Sequence, residues 1–113
     1  MKHDESTLQT QCVRWFRYQY PSRTLFSIPN GGQRNAITGA ILKAEGAMAG
    51  VADLQILHAA HGYHGLFIEM KTRTGRLQPT QVAFQVKAES EGYKYAVCRS
   101  FDEFQRVVLQ YFK

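Results

Sequence analysis

Apolar side chains Leu8, Cys12, Trp15, Phe16 and Tyr20 recur at steps of three and four, which places them on one face of an α-helix spanning 4–19. Pro21 ends it. Residues 24–28 read as a short strand, closed by the turn cluster Pro29-Asn30-Gly31-Gly32. Helical spacing returns over 36–47 in Ile37, Ala40, Ile41 and Ala44, but Gly39 and Gly46 weaken it, so this helix should be short. Two β-like runs, 52–59 and 63–72, are joined by Ala60-His61-Gly62 and predict a hairpin with a tight loop. A polar connector over 74–78 leads to Pro79, which suits the first position of a helix running to 91, with Gly92 as its stop. Residues 93–98 form a fourth strand. Ser100-Phe101-Asp102-Glu103 then reads as a capping box, with Phe104, Val107, Val108 and Tyr111 as the buried face of a last helix.

This order predicts an α/β domain with a central mixed four-stranded sheet flanked by helices. At 113 residues there is room for one domain, and 44% apolar residues can fill one core. Fourteen Lys and Arg against nine Asp and Glu give a net charge of +5, which favours anionic partners, nucleic acid first among them. Charge alone does not separate that role from simple solubility. Cys12 and Cys98 form no metal-binding pair and no disulfide framework. The first residues, Met-Lys-His-Asp-Glu, lack an apolar leader, and no run approaches the roughly 18 apolar residues of a membrane span. A soluble cytoplasmic protein is expected, in the host cytoplasm if its source is viral.

Alternation in 66–71 sends Leu66, Ile68 and Met70 to one face and Phe67, Glu69 and Lys71 to the other. With a three-residue hairpin loop at Ala60, His61 and Gly62, Asp53 lies directly across from Glu69; a two-residue loop would shift that register by one. Cross-strand Cβ atoms lie about 4.5 to 5.5 Å apart, close enough for two carboxylates to share one hard divalent cation such as Mg²⁺ or Mn²⁺. Lys71 would orient or help deprotonate an attacking water and offset charge on a phosphorane. The competing reading makes Glu69 and Lys71 an ordinary solvated pair on an exposed sheet face.

Taken together, the marks resemble the virus-type replication-repair nuclease (VRR-NUC) domain, a branch of the PD-(D/E)XK nucleases. They are Glu5 with Gln9, Asn30-Gly31-Gly32-Gln33-Arg34, Lys43-Ala44-Glu45-Gly46 leading through Gly50-Val51-Ala52-Asp53, Ile68-Glu69-Met70-Lys71, Gly75-Arg76-Leu77, Gln81 and Gly92-Tyr93. The likeness spans nearly the whole chain. It implies hydrolysis of DNA phosphodiesters with Mg²⁺ or Mn²⁺. Asp53 and Glu69 would be metal ligands, the Met70 carbonyl a further ligand, and Lys71 the catalytic lysine. Glu5 would approach the metal from the first helix, and Gln81 would support the centre from the helix after the hairpin. Two departures are Ala52, where the family often has proline, and Gln78, where a Ser-like cap is common.

The supporting residues also have plain structural readings. Glu5 suits the first turn of a helix dipole, and Gln81 is an ordinary capping residue three places after Gln78. Asn30, Gly31 and Gly32 suit a turn, although small residues there would also admit a DNA strand, with Arg34 and Lys43 on its phosphates. His58, His61 and His64 straddle the hairpin turn and read as solvated histidines rather than a zinc site. Trp15, Phe16, Tyr18 and Tyr20 read as core rather than as base-stacking residues. The expectation is a metal-dependent DNA endonuclease selective for branched, flap or junction DNA and working as a homodimer; the alternative is a catalytically silent DNA-binding module of the same fold.

Overall fold

A computed structural model describes residues 2–29 and 36–113. The elements are α1 (Lys2–Gln19), β1 (Thr24–Ser27), α2 (Ala36–Ala44), β2 (Leu54–Leu57), β3 (Leu66–Met70), α3 (Pro79–Ser90), β4 (Lys94–Cys98) and α4 (Phe101–Tyr111). All eight were anticipated. Both hairpin strands are shorter than expected, because pairing stops where Asp53 and Lys71 leave the ladder at one end and the turn begins at the other.

The sheet has the order β1-β2-β3-β4. β1 to β3 form an antiparallel meander, and β4 returns parallel to β3 after crossing over through α3. The sheet is therefore mixed. Leu54, Ile56, Leu66, Ile68, Met70 and Cys98 pack into a common core with Cys12 and Phe16 of α1 and Phe104, Val108 and Tyr111 of α4. Trp15 joins the two helices, edge-on to Phe101 and Phe104. The opposite face carries α3, whose Phe84 packs edge-on against Phe67 of β3. Burying each of these large side chains contributes about 1.5 to 3 kcal/mol, so α1 and α4 close one face and α3 the other.

The hairpin register agrees with the sequence expectation, but for a different reason. Leu54 pairs with Ile68 and Ile56 with Leu66, so the next position along brings Asp53 opposite Glu69. At the tip, Ala60 and Tyr63 bond to each other around a two-residue turn, His61-Gly62, with φ of 55° and 82°. Such a turn alone would have moved the register by one. An additional residue between Ile56 and Ala60, relative to the stretch from Tyr63 to Leu66, restores it.

Two further expectations are corrected. Tyr18 is 88% exposed, because the apolar stripe of α1 runs through Cys12 and Phe16 on the other side. The hairpin histidines are not simply solvated: the His58 ring stacks on Phe112 at 4.5 Å, and His61 Nε2 lies 3.0 Å from the Tyr111 carbonyl oxygen. Tyr111 Oη in turn donates to the His58 carbonyl, so the hairpin tip clasps the end of α4.

Candidate active site

Asp53, Glu69, Lys71 and Gln81 converge where β2 begins and β3 ends, beneath the first turn of α3. Asp53 follows the loop through Gly50, which has φ +90° and sits so close to α3 that a Cβ there would lie 2.2 Å from the Thr80 carbonyl oxygen. Only glycine fits. That contact sets the spacing between the Asp53 loop and the helix turn that carries Gln81. The Asp53 main-chain carbonyl accepts from Ile28 N at 2.8 Å, and its side-chain Oδ2 accepts from Met70 N at 2.7 Å. A main-chain donor at the end of β3 thereby fixes one carboxylate oxygen of Asp53.

Glu69 is 3% exposed and Lys71 is also buried, unlike the solvated pair that Glu-x-Lys could have been. Lys71 Nζ stands 4.0 Å from Glu69 Oε2, and Lys71 N donates to the Cys98 carbonyl at 3.0 Å, anchoring the residue to β4. Gln81 makes two side-chain hydrogen bonds. Its Oε1 accepts from Gln78 N at 2.7 Å, closing the helix start, and its Nε2 donates to Glu69 Oε2 at 2.9 Å. Gln78, the departure from a Ser-like cap, is thus compensated by Gln81.

The second oxygen, Glu69 Oε1, is buried with no hydrogen-bond partner. Burial, then the neighbouring Asp53 carboxylate, push the Glu69 carboxyl up to about 8; Lys71 opposes the shift and Glu5 adds to it. Two neighbouring carboxyl groups that cannot both ionise comfortably and an orphaned oxygen are what a dication between them would relieve. These donors fit a hard, oxygen-seeking ion. Glu5, half-buried on α1, acts on Glu69 through its charge, but the described residues bring no three His, Cys, Asp or Glu side chains together as a ligand cluster.

The Met70 side chain lies in the core while its main chain borders the site. Arg99 at the end of β4 donates through one guanidinium nitrogen to the carbonyls of Thr72, at 2.9 Å, and Gly75, holding the loop that follows Lys71. Among the residues proposed to touch DNA, Lys43 is exposed on α2, while Asn30, Gly31, Gly32 and Arg34 lie outside the described residues.

The sequence reading missed Tyr95. It is buried on β4 on the Glu69 face, its hydroxyl has no partner, and burial followed by the Glu69 and Asp53 charges strongly disfavours its ionisation. Strand alternation over 93–98 could have signalled the face but not the neighbour. Arg99 was missed too, since nothing local indicates which loop a strand-end arginine will hold.

The VRR-NUC domain family profile matches residues 2–102. The chain belongs to the VRR-NUC family. A solved structure described as a VRR_NUC domain protein is 27% identical and superimposes with a TM-score of 0.79, covering 96% of this chain and 87% of that one. No curated protein matches the sequence. Membership in the VRR-NUC family makes this a nuclease-type domain, and the carboxylates, lysine and glutamine described above occupy its sheet end.

Proposed function

We propose that this domain hydrolyses DNA phosphodiester bonds with Mg²⁺ or Mn²⁺ held by Asp53 and Glu69. The observation that carries the proposal is the buried, unpartnered Glu69 Oε1 beside Asp53. The Met70 carbonyl would complete the inner ligand set, and Glu5 would approach from α1. A bound dication supplies the charge that lets both carboxylates remain ionised and withdraws electron density from the phosphoryl oxygens.

The chain's own groups set the geometry. Asp53 is locked by Met70 N and Glu69 by Gln81, so neither has to reorganise as charge develops. The Lys71 ammonium, beside Glu69, orients the attacking water and offsets negative charge gathering at phosphorus. Arg99 keeps the following loop from drifting over this lysine.

Asn30, Gly31, Gly32, Arg34 and Lys43 would meet the DNA backbone, which favours reading of branched, flap or junction shape over base sequence in replication or repair. A homodimer would present two sites to two strands. Ile37 and Ile41 on α2 are 74% and 52% exposed, and Met48 beyond it is 58% exposed, which supports a partner on that side. No helix among the described residues is long and apolar enough to cross a membrane, and both cysteines are free, in keeping with work in the cytoplasm, or the host cytoplasm for a viral protein.

The test is a cleavage assay on duplex, single-stranded, flap and four-way-junction DNA with and without Mg²⁺ or Mn²⁺. Metal-dependent cutting, strongest on branched DNA, is expected. DNA binding with no cutting of any substrate would make the domain a silent binding module instead.

A further inference from the structure

The helix that supplies Glu5 carries a second, quite different face. Its apolar stripe, Leu8, Cys12, Trp15 and Phe16, is spent on the core. Along one flank of that stripe Glu5, Gln9, Val13 and Arg17 follow one another at steps of four, with Val13 still touching the core, and Ser6, Thr10 and Arg14 form a parallel ladder farther round the helix. These residues line a groove. Its longer part, about 460 Å³, runs between α1 and β1, with Leu25 and Ser27 of β1 as the far wall. Its shorter part, about 260 Å³, shares Gln9 and Thr10 with the first and ends at Glu5 and Ser6. The groove therefore runs from Glu5, whose charge bears on Glu69, to two arginines at its other end.

We propose that this groove seats the sugar-phosphate backbone of the DNA strand leading away from the reacting phosphate. The inference rests on the nuclease reading of the carboxylate centre. Three features of the groove match that occupant. Arg14 and Arg17 are exposed and pair with no acidic group: the ion pairs among the described residues are Glu69 with Lys71 and Lys87 with Glu91. Hydroxyl and amide groups of Ser6, Gln9 and Ser27 suit phosphate oxygens, while Val13 and Leu25 offer an apolar floor to the sugars. Charge runs in the right order, with the acidic end at Glu5, whose charge bears on Glu69, and the basic end where only phosphates need neutralising.

The length sets a prediction. From Glu5 to Arg17, α1 advances about 18 Å at about 1.5 Å per residue, which matches about five phosphates of one duplex strand at about 3.4 Å of axis each. In a metal-dependent cleavage assay, extending the strand on one side of the cut should lower KM until about five nucleotides are present, and no further. Extension on the other side should not follow this rule.

Two variants separate the groove from general charge. Arg14→Ala/Arg17→Ala removes two cations from the groove, and Lys87→Ala/Arg106→Ala removes two exposed cations outside it. Binding of a fluorescein-labelled 20-nucleotide single strand and of the matching duplex is followed by anisotropy in EDTA over a salt series, so the readout does not depend on cleavage. The groove variant should bind about tenfold more weakly at physiological salt, with its log-log salt slope on the duplex reduced by about two. Its KM in the cleavage assay should rise more than its kcat falls, and it should lose the benefit of the third to fifth nucleotides. A slope unchanged in the groove variant, an equal loss in the control variant, or no DNA binding by wild-type protein overturns the groove. Groove-dependent binding in a wild-type protein that cuts nothing would uphold the groove and sink the nuclease reading alone.

Discussion

Replacing Glu69 by Gln should make the metal-free protein more stable and at the same time abolish its chemistry. Glu69 is almost wholly buried, one of its oxygens is unpartnered, and Asp53 stands beside it. Burial and the Asp53 charge raise its carboxyl from 4.5 to about 8 in the folded state. Because the folded value is the higher one, the group's contribution to stability is fully present below pH 4.5 and is lost as pH rises toward 8. Each unit in that window costs about 1.4 kcal/mol, so near pH 7 the wild type forgoes about 3 kcal/mol. An amide of the same shape does not ionise, can keep a hydrogen bond with Gln81, and escapes this loss. Thermal melts by circular dichroism in EDTA between pH 5 and pH 9 should show Glu69→Gln overtaking the wild type with rising pH, reaching a Tm about 10 °C higher near neutrality. Mn²⁺ at about a thousand times its Kd should reverse the order, since a ligand at that excess adds about 4.1 kcal/mol to a protein that binds it. Parallel pH profiles for the two proteins, or a variant less stable than wild type at pH 8 in EDTA, would refute the reasoning.

Gly50→Ala should lose about 3 kcal/mol or more and lower Tm by about 10 °C, because its Cβ would meet the Thr80 carbonyl at 2.2 Å and its φ is +90°; cleavage should fall with it, since that contact spaces Asp53 from Gln81. Arg99→Ala should cost about 1 to 3 kcal/mol through the released Thr72 and Gly75 carbonyls, and steady-state kinetics should show kcat falling more than KM rises. Tyr111→Phe should lower stability by about 1 kcal/mol through loss of the bond to the His58 carbonyl, with cleavage at a temperature well below Tm unchanged. Ca²⁺ should protect the wild type against heat without supporting cleavage, as its looser coordination positions the reactants poorly; differential scanning fluorimetry beside a gel assay checks both halves.

Much of this arrangement was legible because it depends on short-range rules. Strand alternation put Glu69 and Lys71 on one face, Pro79 marked the start of α3, and Ser100 with Glu103 marked the start of α4, where Ser100 Oγ accepts from Glu103 N at 3.0 Å. Even there the box departs from the usual form: Glu103 Oε1 reaches past the cap to Arg99 N at 2.6 Å. The Asp53 register came out right although the turn was misjudged, since an additional residue before the two-residue turn cancels its shift. What periodicity could not show was contact between distant segments. The burial of Glu69 and Lys71 depends on α3 folding over the sheet, the Arg99 clamp on a loop 24 to 27 residues away, and the histidine clasp on the end of α4. Tyr18 shows the same limit in reverse: an aromatic next to a core stripe is exposed when it falls one step off the stripe.

The central claim is that Asp53 and Glu69 hold the cation while Lys71 serves the chemistry, and parallel measurement of Mn²⁺ binding and DNA cleavage tests it most directly. Mn²⁺ binding would be followed by electron paramagnetic resonance, and cleavage would be measured on the DNA that the wild type cuts best. The wild type should bind Mn²⁺ and cut. Lys71→Ala should bind Mn²⁺ within a few fold of wild type and cut at least a hundredfold more slowly, a loss on the scale of general acid–base catalysis. Asp53→Ala and Glu69→Ala should do neither, while all three variants keep DNA affinity within a few fold. Cleavage that persists in EDTA, or a Lys71→Ala protein that cuts as fast as wild type, would contradict the account.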